Sequence, residues 1–285
     1  MTTTTSKNLI IPEVFADLVQ AEFKGQTRVL PWAREDNTLV GQPGETITFP
    51  KWNTLNELED VGEEETLKLQ TLSQTIGTAT IKEAGTAVSY TDKADLTGLG
   101  DPGNEAVRQF GILIARKLDT SLIAAAQEET AADTATKTRE QKPRKFDAKT
   151  AKFDWGTLVD ATSQFGDEWE PDAGTALFIR SEQRAQIMKD AQFIDASKLG
   201  AATPVTTGTI GIIGGMPVIV TNRLPENKFF IIRRGALGVL YKRRPIVETD
   251  RDILDRKNVI TTNVHYAVKR LNDKGVLVGS VQAGA

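Results

Sequence analysis

Apolar and polar positions recur along this chain with helical spacing, with strict alternation, and in short continuous runs. Between 102 and 128, Val107, Phe110, Leu113, Ile114, Leu118, Leu122 and Ala125 fall on one stripe at helical spacing. Asp101 is placed to cap this segment, Pro102 suits its first turn, and Glu105 lies near the positive end of the dipole. Arg108, Arg116, Lys117 and Asp119 lie off the centre of the stripe. At 1.5 Å per residue the predicted helix is roughly 40 Å long, a length that suits a spine on which other elements lean.

Alternation marks a different region, 43–91. Thr46-Ile-Thr-Phe49 alternates as a strand before Pro50 and Trp52, and the Thr-rich run 75–91 is placed to return as its partner. Between them stand Glu57, Glu59, Asp60, Glu63, Glu64 and Glu65, with no basic residue until Lys68. The pattern predicts an extended β-ribbon with a charged tip. A solvated charge run on a loop is the plainer reading. A two-stranded ribbon is marginal alone in water and its edges invite association, so a second subunit is expected to support it.

From 153 onward helical and strand patterns alternate. Asp154 is expected to cap a helix over 155–165. Ala176-Leu-Phe-Ile179 reads as a short buried strand, and Ser181 opens a helix to about 190. Glycines at 208, 211, 214 and 215 punctuate a turn that feeds the apolar run Val218-Ile219-Val220. Further strands are expected at 229–233, 239–241, 259–271 and 276–278, in an α/β or α+β unit with a mostly antiparallel sheet. Residues 1–42 read as an arm with a short helix, where Val14, Phe15, Leu18 and Val19 follow Pro12. Residues 130–152 read as a loop or loose hairpin with a basic face at Lys137, Arg139, Lys142, Arg144 and Lys145.

The residue inventory is poor in chemistry. The chain has 285 residues, net charge −3, no cysteine and one histidine, His265. Disulfides, thiolate metal sites, cysteine nucleophiles and a multi-histidine zinc site within one chain are excluded. His265 lies in an alternating strand, on the face of Asn263, Ala267 and Lys269. No Gly-x-Ser-x-Gly elbow accompanies it, so a hydrolase built on it is a weak third reading. The glycine block lacks the Gly-x-Gly of a dinucleotide fingerprint and has no Lys-Ser/Thr pair for phosphate. No apolar run approaches the ~18 residues of a membrane helix, and residues 1–11 lack a secretory core. These features favour a structural or binding protein over an enzyme, with no cofactor. The acidic segment and the basic groups at 137–145 and at Arg233, Arg234, Lys242, Arg243 and Arg244 are opposite patches on separate segments. Such patches favour heterologous contacts between copies.

The order of arm, ribbon, spine helix and α/β unit resembles the major capsid proteins of tailed bacteriophages, the Hong Kong 97-type fold. Ile11-Pro-Glu-Val-Phe15, Ile210-Gly-Ile-Ile-Gly-Gly-Met-Pro-Val218 and Pro245-Ile-Val-Glu-Thr-Asp-Arg-Asp252, with the strand from Asn258 to Val268, carry the resemblance. It implies an α+β shell subunit that forms pentamers and hexamers of an icosahedral container for double-stranded DNA. It also implies an arm over 1–42, an extended loop over 43–91 and a peripheral domain with the spine helix over 92–152. An axial domain over 153–262 and C-terminal strands over 263–285 that return to the peripheral domain complete the scheme. The partners implied are other copies, a separate scaffolding protein, a portal protein, packaged DNA and a decoration protein, with no membrane. Some members cross-link through lysine in the loop where Lys68 lies; no cross-link is expected here. An encapsulin-like nanocompartment shell is the alternative within the same fold.

Overall fold

The computed structural model describes residues 27–37, 40, 44–52, 55, 69–98, 100–133, 135, 138, 140–148, 152–166, 169, 174–190 and 211–282. The expected arm helix, the acidic segment 57–65 with Lys68, and the basic residues Lys137 and Arg139 lie outside the described residues.

The spine helix α2 runs over Pro102–Gln127. Its start follows from the sequence: the Asp101 carboxylate accepts from the Asn104 N–H at 3.0 Å, and Pro102 supplies a first-turn residue that needs no donor. A shorter helix, α1 over Asp92–Thr97, precedes it and is capped by the Thr91 hydroxyl. The apolar stripe of α2 packs on a four-stranded sheet of order β1 (Arg34–Asp36), β10 (Leu237–Asp252), β11 (Lys257–Arg270) and β4 (Lys82–Thr91). Val239, Tyr241, Val264 and Tyr266 face the helix and join Val107, Phe110, Ile114 and Leu118 in one core. The Tyr266 hydroxyl bonds the Ser121 hydroxyl at 2.9 Å. Leu240 and Ala267, one position out of phase, point to the opposite face.

A six-stranded mixed sheet forms the second unit. Its order is β5 (Arg144–Ala148), β12 (Val276–Val281), β9 (Lys228–Arg233), β6 (Thr175–Ile179), β8 (Met216–Val220) and β7 (Ile212–Ile213). Both faces of its middle are covered. Phe230, Ile232, Ala176 and Phe178 turn toward the spine-helix core, while Phe229, Ile231, Leu177 and Ile179 turn toward α3 (Trp155–Ser163) and α4 (Ser181–Met188). Burial on both faces is why these strands read as continuous apolar runs. Asp154 caps α3 by accepting from the Thr157 N–H at 2.8 Å.

The glycine block folds as a hairpin. Gly214 and Gly215 both take positive φ, 56° and 80°, in the two-residue turn between β7 and β8. β8 then pairs in parallel with β6.

Two expectations change. The Thr-rich run 75–91 is not one ribbon strand. β2 (Thr46–Trp52) pairs with β3 (Gln74–Thr80), but β4 turns away and zips antiparallel along β11. Threonine alternation alone does not name its partner strand. β10 extends well past 241, because Pro245 sits in an irregular stretch, between Arg243 and Ile246, where the register with β11 shifts. The described strand pairs are mostly antiparallel, as expected, and β1–β10, β12–β5 and β6–β8 are the parallel ones.

Candidate assembly surfaces

The ribbon β2–β3 forms a sheet of its own, and it meets the body at its root and, in mid-strand, through a bridge between Ile76 and Thr138. At the root Ala79 packs with Leu240 and Ala267, on the face of the four-stranded sheet away from the spine helix. Seven ladder pairs, from Thr46–Thr80 to Trp52–Gln74, give it a length of about 20 Å at 3.3 Å per residue. Near its far end Leu69 is fully exposed and Leu72 is 62% exposed.

The basic residues singled out in the sequence form two groups rather than one patch. Lys242, Arg243 and Arg244 stand at the ribbon root. Lys242 Nζ donates to the Gly44 carbonyl at 2.6 Å, Arg243 to Asn263 Oδ1 at 2.8 Å, and Arg244 to Asn37 Oδ1 at 3.4 Å. Arg233 and Arg234 flank the β9–β10 turn, where their backbone N–H groups donate to Gly275 and Gly174. Leu237 to Arg243 alone spans about 20 Å of strand, so the groups are well separated. Of the basic residues expected to form a face over 130–152, the three described ones have partners within the chain. Lys145 pairs with Glu129, Lys142 with Glu140, and Arg144 donates to the Gln164 carbonyl.

A junction that the sequence did not announce ties three segments together. Asp119 is fully buried. One carboxylate oxygen accepts from the Arg28 N–H at 2.8 Å, and the other from Val29 at 3.1 Å and Leu30 at 3.2 Å. Arg223, just past β8, pairs with the first oxygen. Burial pushes the carboxyl above the ordinary aspartate range, against the pull of the three N–H donors and Arg223. At the other end of the spine helix, buried Arg270 donates to the carbonyls of Ala125 at 3.2 Å and Ala126 at 2.8 Å, and to Asp273 at 2.7 Å. It thereby satisfies last-turn carbonyls that have no partner within the helix.

At the far tip of the β10–β11 hairpin Ile253 and Leu254 are 78% and 94% exposed. Leu96 of α1, 85% exposed, belongs to the same end of the sheet, where the Arg256 carbonyl accepts from the Asp92 N–H and Arg251 bonds Asp92. His265 is half-buried in mid-sheet, in register with Glu83 and Arg243, with Nε2 3.6 Å from a Glu83 oxygen. A strand-to-strand contact of this kind is structural, and no nucleophile is bonded to the imidazole.

A helical spine on a long-stranded sheet, a second sheet buried on both faces, and a ribbon projecting from the first together define the Hong Kong 97-type capsid fold. The chain belongs to the phage capsid protein family, which matches residues 74–279. It is 30% identical over 266 residues to the major capsid protein of Staphylococcus phage phiMR11, covering 92% of this chain and 90% of that one. Its structure is similar to that of Mycobacterium phage Che8, with a TM-score of 0.67, 15% identity, and 98% and 96% of the two chains covered. It is also similar to the capsid asymmetric unit of cyanophage Pam1, with a TM-score of 0.68, 16% identity, and 90% and 92% covered. The chain is a major capsid protein of a tailed phage, a structural component of the virion and not an enzyme. The family and the curated relative favour a phage shell over a nanocompartment.

Proposed function

We propose that copies of this chain assemble into pentamers and hexamers that close an icosahedral shell around double-stranded DNA. The ribbon of each copy reaches across its neighbour. The observation that carries this reading is the ribbon itself: two seven-residue strands in a two-stranded sheet of their own, with exposed leucines, Leu69 and Leu72, just before the second strand. A second subunit supplies the buried surface that such a pair lacks in water. The peripheral part of the subunit comprises the spine helix with β1, β4, β10 and β11, and the axial part is the six-stranded sheet with α3 and α4. The acidic residues Glu57, Glu59, Asp60, Glu63, Glu64 and Glu65, with Lys68, meet basic surface on a neighbouring copy. Arg233, Arg234, Arg243 and Arg244 are the first candidates for that surface. Assembly in the host cytoplasm, with a separate scaffolding protein, a portal and a decoration protein, completes the proposal.

Deleting residues 55–70 tests it. The expected product is a folded, soluble subunit that forms no closed shell. Normal particles from the deletion variant would overturn the role given to the ribbon.

A further inference from the structure

Beside the Asp119 junction the surface sinks into a recess of about 490 Å³. Arg28, Arg116, Thr120, Thr221, Asn222 and Arg223 line it. Three arginines therefore line one small cavity. Asp119, the carboxylate closest at hand, is fully buried, already accepts three N–H bonds, and is paired with Arg223. The guanidinium groups of Arg28 and Arg116 have no carboxylate partner among the described residues, and both residues are exposed. The recess thus carries an excess of positive charge, from Arg116 in the middle of the spine helix, Arg223 just past β8 and Arg28 of the segment before β1.

We infer that this recess receives carboxylates from residues 57–65 of a neighbouring copy. The inference rests on the shell reading above and names the receiving surface within it. Charge is the first argument. Six carboxylates fall within nine residues of the chain with no basic residue among them, and guanidinium forks match carboxylate geometry. Position is the second. The ribbon leaves the body on the face of the four-stranded sheet opposite the spine helix, whereas the recess lies on the helix side. The ribbon root and the recess thus lie on opposite sides of the four-stranded sheet, an arrangement that suits a carboxylate supplied by another copy. Availability is the third. Lys242, Arg243 and Arg244 already donate to oxygens within their own subunit. The phosphates of a DNA duplex line a wide, stiff cylinder, whereas a recess of this size admits individual side chains. That shape favours a protein loop over the nucleic acid.

The test is charge reversal with rescue, read by particle yield on sedimentation and by electron microscopy. The Arg28 backbone N–H serves Asp119 whatever its side chain, so Arg28→Glu with Arg116→Glu leaves the junction intact, and circular dichroism and thermal melting verify the fold. This double variant should lower particle yield by about tenfold or more, since small pair energies multiply around a ring. Adding Glu63→Lys, Glu64→Lys and Glu65→Lys should restore most of the yield. Unchanged yield in the folded double variant would overturn the inference. So would a loss that the compensating reversal does not rescue, or normal shells that merely carry less DNA. The unsubstituted protein in the same assay separates this outcome from failure of the shell reading: if it forms no particles, the shell reading itself has failed.

Discussion

Gly279 of β12 lies directly opposite Phe229 of β9, and the ring fills the space that a side chain at 279 would need. A Cβ there would stand 2.1 Å from Phe229 Cζ. Phe229 is fully buried and packs against Phe153, ring centre to ring centre 4.7 Å, so it has no free direction in which to retreat. Gly279→Ala should therefore destabilise the subunit by about 1–3 kcal/mol or more through overpacking. Phe229→Leu in the same chain should recover part of the loss, because the smaller side chain vacates the clash. Urea unfolding of the unassembled subunit measures both, and additive losses would contradict the assignment.

Asp119→Ala should cost about 3–5 kcal/mol, since it strips a buried ion pair of one partner and leaves three backbone donors unmet. Asp119→Asn keeps an acceptor oxygen and should cost less. Hydrogen exchange at Arg28, Val29 and Leu30 should accelerate in both variants. Equal exchange in variant and parent would show that these amides have other partners.

Arg270→Ala should cost about 3 kcal/mol or more by removing charge-assisted bonds to the last turn of the spine helix. Arg270→Lys should be intermediate, since it retains the charge but not the fork that reaches two carbonyls and Asp273 together. Thermal melting orders the three proteins, and a lysine variant as stable as the parent would contradict this role.

Glu105 gives a pH-dependent prediction. Hydrogen bonds from Arg108 and Gln109 hold its carboxyl down at about 2. A depressed folded-state value makes its contribution present above the ordinary glutamate range and lost as pH falls through that range toward about 2. The side chain is exposed, so the effect is small. The stability gap between the parent and Glu105→Gln should narrow as pH is lowered from 6 to about 2 in a series of melts. A gap that widens would reverse the sign.

His265→Ala should leave particle yield unchanged, because the imidazole meets only a flanking strand. Loss of a measurable hydrolytic turnover would instead revive a catalytic role.

Much of the fold was legible because its signals are local. Asp101 and Pro102 announce the spine helix, Asp154 announces α3, and the runs at 176–179 and 229–232 declare strands buried on both faces. What the sequence hides is set by partners far along the chain. Asp119 reads as an off-centre polar residue on a helix, yet its donors lie about ninety residues away, at 28–30, and at Arg223. β4 reads as ribbon because nothing in its threonines distinguishes β2 from β11 as a neighbour. The strand expected at 239–241 is too short because the irregular register that lets β10 continue through Pro245 is a property of the paired strands. The recess at Arg28, Arg116 and Arg223 joins residues almost two hundred positions apart and has no sequence signature.

The central claim is that this subunit closes with its own copies into a shell. Negative-stain electron microscopy of the purified protein, expressed with and without a scaffolding partner, tests it most directly. Closed icosahedral particles, or pentameric and hexameric capsomers, are the predicted result. A uniform population of monomers under every condition would contradict it.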